Sequence, residues 1–118
     1  MPVWKATTVD EVPELKISRW TIREITKSDL LPIGSHHIVG WNVTEGEARV
    51  SSAIESFDKE KMIATTKSGR KYQLLHDPAI NMDAQYVFEA WCYVSKVDEW
   101  IDVTNQYYTE PPMEDEDD

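Results

Sequence analysis

The sequence is poor in the residues that build covalent and metal-bound frameworks. Of its 118 residues one is a cysteine, Cys92, so an intramolecular disulfide and a paired-cysteine zinc motif are both impossible. Four residues are glycine, and none of them belongs to a phosphate-binding loop or to a Gly-x-Ser-x-Gly nucleophile elbow. These absences exclude a disulfide-stapled extracellular domain and the common nucleotide-binding and serine-hydrolase motifs.

Long apolar segments are absent as well. No stretch approaches the roughly 20 apolar residues of a membrane span. Residues 1–10 lack the apolar run and the small-residue cleavage site of a signal peptide. We therefore expect no membrane association and a cytoplasmic location.

Basic residues are outnumbered by acidic ones. Lys and Arg total 12 against 22 Asp and Glu, a net charge of −10, and six of the acidic residues lie in residues 110–118, which contain no basic residue. The rest of the chain thus has 16 acidic and 12 basic residues, a net charge of −4. No basic stripe is present that could displace counterions from a phosphate backbone, so we expect no direct binding to nucleic acid.

The length and composition are typical of one globular domain. A chain of this size can bury about two-thirds of its unfolded surface without disulfides or metals. Hydrophobic residues make up 41% of the chain, and five residues are tryptophan. The C-terminus is rich in proline and acids and too poor in apolar residues to fold. We expect a single domain over residues 1–104 and an acidic, disordered tail over residues 105–118.

Alternating apolar residues predict β-strands through most of the chain. Residues 15–25 alternate with a change of phase between Ile17 and Trp20, which indicates a bulged strand, with a short helix as the alternative. Gly46 can adopt the positive φ of a tight hairpin turn. Further strands are predicted at residues 37–43, 48–56, 62–67, 71–75 and 100–103.

The hydrophobic period changes after residue 81. Apolar residues then recur at spacings of three and four, which predicts an amphipathic α-helix over residues 83–95 with Asn81 or Asp83 as its N-cap. The stripe consists of Ala84, Val87, Phe88, Trp91 and Val94. The sequence therefore predicts an α+β fold, an antiparallel sheet of about five strands with this helix packed on one face.

The three histidines are the candidates for a metal site. His36 and His37 are adjacent, so on a strand their rings point to opposite faces and cannot bind one ion together. A site would need one of them to meet His76 and an acid such as Asp77. The alternative is that the histidines are hydrogen-bonded or exposed to solvent, and we expect no metal and no cofactor.

Three other features of the sequence could form a reactive or ligand-binding site. Cys92 lies on the flank of the helical stripe, where a buried, unreactive thiol is the usual occupant. Arg70 and Lys71 belong to a turn that holds an anion or is simply solvated. Asp98 and Asp102 form an acid pair or, more simply, part of an acidic surface. We assign no catalytic residue.

The C-terminal segment is the predicted protein-binding site. It combines aromatic and acidic residues, a composition that can dock onto a basic partner and become ordered on binding. A solubilising terminus is the alternative. The residues assigned to binding are Tyr107, Tyr108, Glu114, Asp115, Glu116, Asp117 and Asp118.

Three runs of the sequence resemble small uncharacterised proteins encoded in phage and prophage genomes. They are residues 68–74 (SGRKYQL), 83–91 (DAQYVFEAW) and 100–104 (WIDVT). The resemblance carries no active-site motif. It implies a bacterial or phage-infected cytoplasm, in which such proteins act by binding and blocking a host protein.

The leading functional hypothesis is a non-enzymatic protein-interaction module, in its specific form a phage or prophage protein that binds a host protein. One alternative is an acidic inhibitor that mimics nucleic acid, for example an antagonist of a host defence enzyme, although a net charge of −4 outside the tail argues against it. The other alternative is a small metal-dependent hydrolase that uses the histidines.

Overall fold

The computed structural model describes residues 13–109. They form an α+β fold in which a seven-stranded mixed sheet carries one α-helix. The strands are β1 (Glu14–Ser28), β2 (His36–Asn42), β3 (Glu47–Val50), β4 (Ile54–Asp58), β5 (Ile63–Thr66), β6 (Lys71–Leu74) and β7 (Val97–Asp102). The helix α1 (Met82–Val94) connects β6 to β7, and a 3₁₀ turn (Thr104–Gln106) follows β7.

Strand β1 is the longest element and pairs with three others. Its first half is parallel to β6, with Glu14 opposite Lys71 and Ile17 opposite Leu74. Its second half is antiparallel to β7, and β2 lies antiparallel along its other side. The order across the sheet is β3-β2-β1-β6-β5-β4, with β7 joined to β1.

The predicted bulge in β1 is confirmed. The pairing with β2 shifts register between Ser18 and Thr21, and Arg19 has a positive φ of 48°. Ile17 before the bulge and Trp20 after it belong to the same buried cluster. Because the bulge inserts an extra residue, the apolar side chains stay on one face of the sheet although their spacing in the sequence changes.

The sheet is curled, so that β4 comes close to β2. Strands β3 and β4 stand at opposite ends of the strand order, yet residues 51–53 are the whole connection between them. In a flat sheet five inter-strand spacings would separate them by about 24 Å, whereas four Cα–Cα steps span about 14 Å at most. Ser51 donates its N–H to Ile38 of β2, and Ala53 accepts from Lys67 just beyond β5. The short connection therefore requires the curl that draws the two ends of the sheet toward each other.

The predicted antiparallel sheet of about five strands differs from the structure in two respects. The stretch predicted as one strand at residues 48–56 is two strands, because residues 51–53 cross from one end of the sheet to the other. The sheet is also mixed, since β1 and β6 are parallel. The predicted antiparallel pairings β2–β3, β4–β5 and β5–β6 are confirmed.

The main core fills the inside of the curled sheet. Trp20 lies fully buried in it, and its indole N–H donates to the carbonyl oxygen of Leu75 at 3.1 Å. This pairing satisfies the indole's single donor inside an apolar environment. The other buried members of the cluster are Leu15, Ile17, Ile22, Ile38, Ala64, Tyr72, Leu74 and Val103.

The helix prediction is confirmed, and α1 covers the outer side of β2 and β3. Asn81 caps it, because its side-chain oxygen accepts a hydrogen bond from the N–H of Ala84 at 2.8 Å. Ala84 and Phe88 pack with Val39 of β2 in a second buried cluster. Val94, predicted in the buried stripe, is 74% exposed. No helix in residues 13–109 is long and apolar enough to cross a membrane.

The chain packs against the core beyond β7. Thr104 bonds to both backbone groups of Ile22, and Tyr107 and Tyr108 pack against the main core cluster. These two tyrosines belong to the segment predicted as a tail, and the structure places them on the body of the domain. Residues 110–118 of that segment, like residues 1–12, lie outside the described part.

Gly40 of β2 marks the point where the bulged part of β1 comes closest. A Cβ atom at this position would lie 2.7 Å from Cγ2 of Ile17 and 3.0 Å from Cα of Trp20. A side chain there is therefore excluded by a neighbouring strand, which explains a glycine in the middle of a strand.

We expect Gly40→Ala to lower the free energy of unfolding by about 2 kcal/mol, because the added methyl overpacks the contact with β1. Urea denaturation measures the loss. Gly46→Ala is the control: its Cβ meets nothing within 4 Å, and only its φ of 71° is unfavourable, so a loss of about 1 kcal/mol is expected. Equal losses in the two variants would contradict the close-approach explanation.

Candidate functional site

Helix α1 carries large apolar side chains on the side that faces away from the sheet. Met82, Tyr86 and Tyr93 lie four and seven residues apart, so they fall within about 40° of one another around the helix axis. They are 74%, 75% and 86% exposed. Val94, which follows Tyr93, lies about 100° further around the helix axis and is also 74% exposed. We call Met82, Tyr86 and Tyr93, together with the flanking Val94, the α1 outer face.

The α1 outer face is a concentration of apolar surface on one element. Single exposed apolar residues are normal in soluble proteins, whereas contiguous groups of them mark binding sites. Tyrosine and methionine are also enriched in protein–protein interfaces. With Ala84 and Phe88 buried on its other side, α1 is apolar on two opposite faces. This pattern is typical of a helix that is covered on both sides.

Acidic residues outnumber basic ones on α1 and β7. Helix α1 contains Asp83 and Glu89 and no basic residue. Strand β7 contacts the helix and adds exposed acids, namely Asp98, Glu99 and Asp102. Lys96 is the one basic residue in the sequence between positions 82 and 103. The segment that carries the apolar face therefore has a net negative charge.

The side chain of Arg23, on β1, packs against helix α1 and strand β7. Its guanidinium carbon lies 4.6 Å from the ring centroid of Phe88 and 4.5 Å from that of Trp100, between α1 and β7. The residue is 2% exposed, and its Nε and Nη1 have no hydrogen-bond partner among the described residues. Burial lowers its pKa, and the nearby Asp102 partly opposes that change. The two aromatic rings thus contact this buried cation and stabilise it through cation–π interactions.

His37 forms the second polar contact under the helix. Its ring lies 4.9 Å from that of Trp91, its Nδ1 is 2.9 Å from the carbonyl oxygen of Ser51, and its Nε2 is 2.9 Å from Oγ of Ser35. A neutral ring that donates through Nδ1 and accepts through Nε2 satisfies both partners. Burial lowers the pKa of His37, with a smaller lowering from His36 and an opposing contribution from the Ser51 hydrogen bond.

Cys92 shows no sign of an activated nucleophile. Burial raises the pKa of its thiol to about 11, although the charge of Arg23 acts in the opposite direction. The thiol is therefore protonated at neutral pH and packs against the cluster of Ala84 and Phe88. The structure supports the interpretation of Cys92 as a packing residue.

The predicted binding tyrosines make contacts within the domain. The hydroxyl of Tyr107 bonds to Nδ1 of His36, whose Nε2 lies 2.9 Å from a carboxylate oxygen of Glu24. Burial raises the pKa of Tyr107, and Glu24 raises it further. Tyr108 donates its hydroxyl to Asp77 at 2.7 Å. Both tyrosines are half-buried. The acidic part of the predicted site, Glu114 to Asp118, lies outside the described residues.

The structure does not bring the histidines into a metal site. His36 and His37 lie on opposite faces of β2, as predicted, and each has its own partners. Within residues 13–109 no three side chains of His, Cys, Asp or Glu are grouped to hold a metal ion. The turn at residues 68–71 also differs from the anion-site hypothesis, because Arg70 is 3% exposed and does not present its charge at the surface.

The α1 outer face is absent from the predicted binding site, although the sequence carries a signal for it. Met82, Tyr86 and Tyr93 follow the same helical spacing as the buried stripe and lie on the opposite side. A helix that covers one sheet needs a single apolar face. The second apolar face of α1 therefore departs from the single apolar stripe of an ordinary amphipathic helix. This departure indicates that the outer side of the helix is also covered.

Lowering the pH is expected to destabilise the fold through His37. Because burial lowers its pKa, the unfolded chain takes up a proton near pH 6.5 while the folded chain resists it. The contribution of neutral His37 is thus complete above pH 6.5 and is lost as the pH falls below that value. Thermal melts between about pH 7.5 and about pH 5.5 measure the effect.

Two glutamine variants isolate this contribution. His37→Gln keeps one donor and one acceptor without a titrating group, so its melting temperature should fall less over the same range. His76→Gln changes an exposed histidine and should follow the wild type. A His37→Gln curve that runs parallel to the wild-type curve would show that His37 contributes nothing to the pH dependence.

Replacing Arg23 tests whether its charge or its packing supports α1. Arg23→Met should leave the free energy of unfolding within about 1 kcal/mol of wild type, because an unpaired buried cation is exchanged for an apolar chain of similar length. Arg23→Ala should lower it by about 3 kcal/mol, because a cavity opens between the two rings. Guanidinium denaturation compares them, and equal losses would assign the stabilisation to the charge.

Comparison of the chain with protein-family models, with curated proteins and with solved structures gave no match. The resemblance to phage-encoded proteins therefore stays a prediction. The α1 outer face is therefore the feature that carries the functional interpretation.

Proposed function

We propose that this protein is a non-enzymatic protein-interaction module that binds its partner through the α1 outer face. The observation that carries the proposal is the set of four large apolar side chains, each at least 74% exposed, on one helix. Burial of such side chains in a complex is the main favourable contribution to protein association. Met82 adds a flexible side chain that adapts to the shape of a partner.

The charges around the face define the chemistry of the partner. The region has five acids, three of them on β7, and one base. A complementary surface presents an apolar centre with lysine or arginine at its edge. We propose a basic protein surface, or an amphipathic helix with a basic rim, as the occupant. In the setting that the phage resemblance implies, it belongs to a host protein.

The same charges argue against a second copy of this chain. In a two-fold symmetric dimer each patch meets an identical patch. The acids on α1 and β7 would then face the same acids of the other copy, which disfavours association. A different protein with the opposite charge meets no such repulsion.

The test begins with partners retained from a bacterial lysate by the full chain, each then purified and titrated by calorimetry. The double variant Tyr86→Ser/Tyr93→Ser should raise the Kd at least about 30-fold, since truncation of interface tyrosines typically costs about 2 kcal/mol or more. Affinity should also fall as salt is added, because the complementary charges are screened. Circular dichroism checks that the double variant remains folded.

Val43→Ser is the matched control, because Val43 is an apolar residue of 48% exposure at the end of β2 and outside α1. Its Kd should stay within about twofold of wild type. A partner that binds the double variant as tightly as the wild type would refute the α1 outer face as the site. A concentration-dependent dimer in light scattering, abolished by the double variant, would replace the basic partner by a second copy.

A further inference from the structure

A second surface feature lies beside Val43, the residue that follows β2. A broad groove of about 760 Å³ opens between the bulge of β1 and the segment that follows β6. Arg19 lines one side of it and His76 the other, and Val43, Leu75 and Pro78 supply apolar walls. This volume is within the range of small-molecule binding sites, and the groove is open to solvent.

Two of the polar residues that line this groove, Arg19 and His76, have an unusual backbone. In residues 13–109 four residues other than glycine have a positive φ, and two of them are Arg19 at 48° and His76 at 59°. Side chains other than glycine are strained in this conformation. A glycine at either position would adopt the positive φ at a lower cost in free energy. The side chains of Arg19 and His76 are therefore present despite a local conformational penalty. Strained positions of this kind cluster at binding sites.

Neither side chain has a partner within the described part of the protein. Arg19 belongs to none of its ion pairs, and no hydrogen bond joins Arg19 or His76 to another described side chain. Both residues are exposed. A guanidinium fork and an imidazole N–H are thus available to a ligand in the groove.

The walls of the groove are fixed in position. The indole N–H of Trp20 donates to Leu75 at 3.1 Å, and the N–H of Ala79 donates to the carbonyl oxygen of Trp20 at 3.2 Å. These two bonds tie the segment after β6 to the residue that follows Arg19. The groove is therefore formed before any ligand binds, which reduces the entropic cost of binding.

Among the described residues that line the groove, Asp77 is the one acid. Its carboxylate accepts a hydrogen bond from Tyr108 at 2.7 Å, and Tyr108 lines a neighbouring hollow of about 460 Å³ rather than this groove. Asp77 and Pro78 border both spaces. The Asp77 carboxylate is thus engaged by Tyr108 of the neighbouring hollow.

We propose that this groove binds a small ligand that carries an oxyanion, a carboxylate or a phosphate, on an apolar group. Arg19 pairs with two oxygens of the anion, because its planar fork matches the geometry of both groups. His76 donates a further hydrogen bond from the opposite side. Val43, Leu75 and Pro78 contact the apolar part. This site is separate from the proposed protein-binding face and does not depend on it.

The test titrates the full chain with benzoate and with phenyl phosphate, and follows backbone amide shifts by NMR. Saturable shifts at residues 18–19 and 75–79 are expected, and the tighter of the two probes identifies the oxyanion. Benzamide, which has no charge, should bind at least about tenfold more weakly, since charged hydrogen bonds are the stronger ones. Inorganic phosphate should also bind more weakly than phenyl phosphate, because it makes no apolar contact.

The decisive variants remove one cation from a strained position. Arg19→Gly should weaken binding at least about tenfold while the melting temperature stays the same or rises, because glycine relieves the positive φ. Lys96→Gly is the matched control, since Lys96 is an exposed cation with a φ of 56° outside the groove. It should leave binding within about twofold.

Three results would overturn the proposal. The first is the absence of saturable binding of either aromatic anion up to about 10 mM, a limit that corresponds to negligible affinity. The second is equal weakening by Lys96→Gly and Arg19→Gly, which would indicate a general charge effect. The third is equal binding of benzamide and benzoate, which would assign the binding to the apolar walls alone.

Discussion

The fold depends on the continuous pairing of β1 through its bulge. Parallel to β6 in its first half and antiparallel to β7 in its second, this strand also pairs with β2 and so joins β3 and β2 to β6, β5 and β4 in the hydrogen-bonded order of the sheet. The bulge keeps Ile17 and Trp20 on the inner face although they are three residues apart. It also brings β1 against Gly40, where no side chain fits. The bulge is thus the common cause of three features. They are the continuous inner core, the close approach of β2 and the backbone strain at Arg19.

The curled sheet has an outside as well as an inside, and α1 covers only part of that outside. Along the second half of β1 the outward residue Arg23 is buried by Phe88 and Trp100, while inward residues such as Ile22 fill the core. The helix is therefore fixed by a buried aromatic and cationic layer. Its far side remains exposed and apolar, and this makes it a rigid support for a binding face. Rigid elements hold interface side chains with little loss of entropy on binding.

The proposed sites differ in how far the sequence could reveal them. The second apolar stripe of α1 can be found from helical spacing alone, because Met82, Tyr86 and Tyr93 are local in sequence. The groove could not be found in this way, since Arg19 and His76 are 57 positions apart and meet only through the contacts of Trp20 with Leu75 and Ala79. The predicted binding tyrosines are a related case. The composition of the C-terminal segment predicted that Tyr107 and Tyr108 are free to bind a partner. Their hydrogen bonds to His36 and Asp77 are tertiary contacts, which the composition does not reveal.

The sequence by itself determined the local elements: the bulge before Trp20, the hairpin of β2 and β3, and the helix that begins after Asn81. Each follows from the pattern of neighbouring residues, which sets side-chain direction and backbone bonding within a few positions. The tertiary structure decided the parallel pairing of β1 with β6, the division of residues 48–56 into two strands and the curl of the sheet. These depend on which distant segments bury each other, and hydrophobic burial is non-directional, so local periodicity does not encode it.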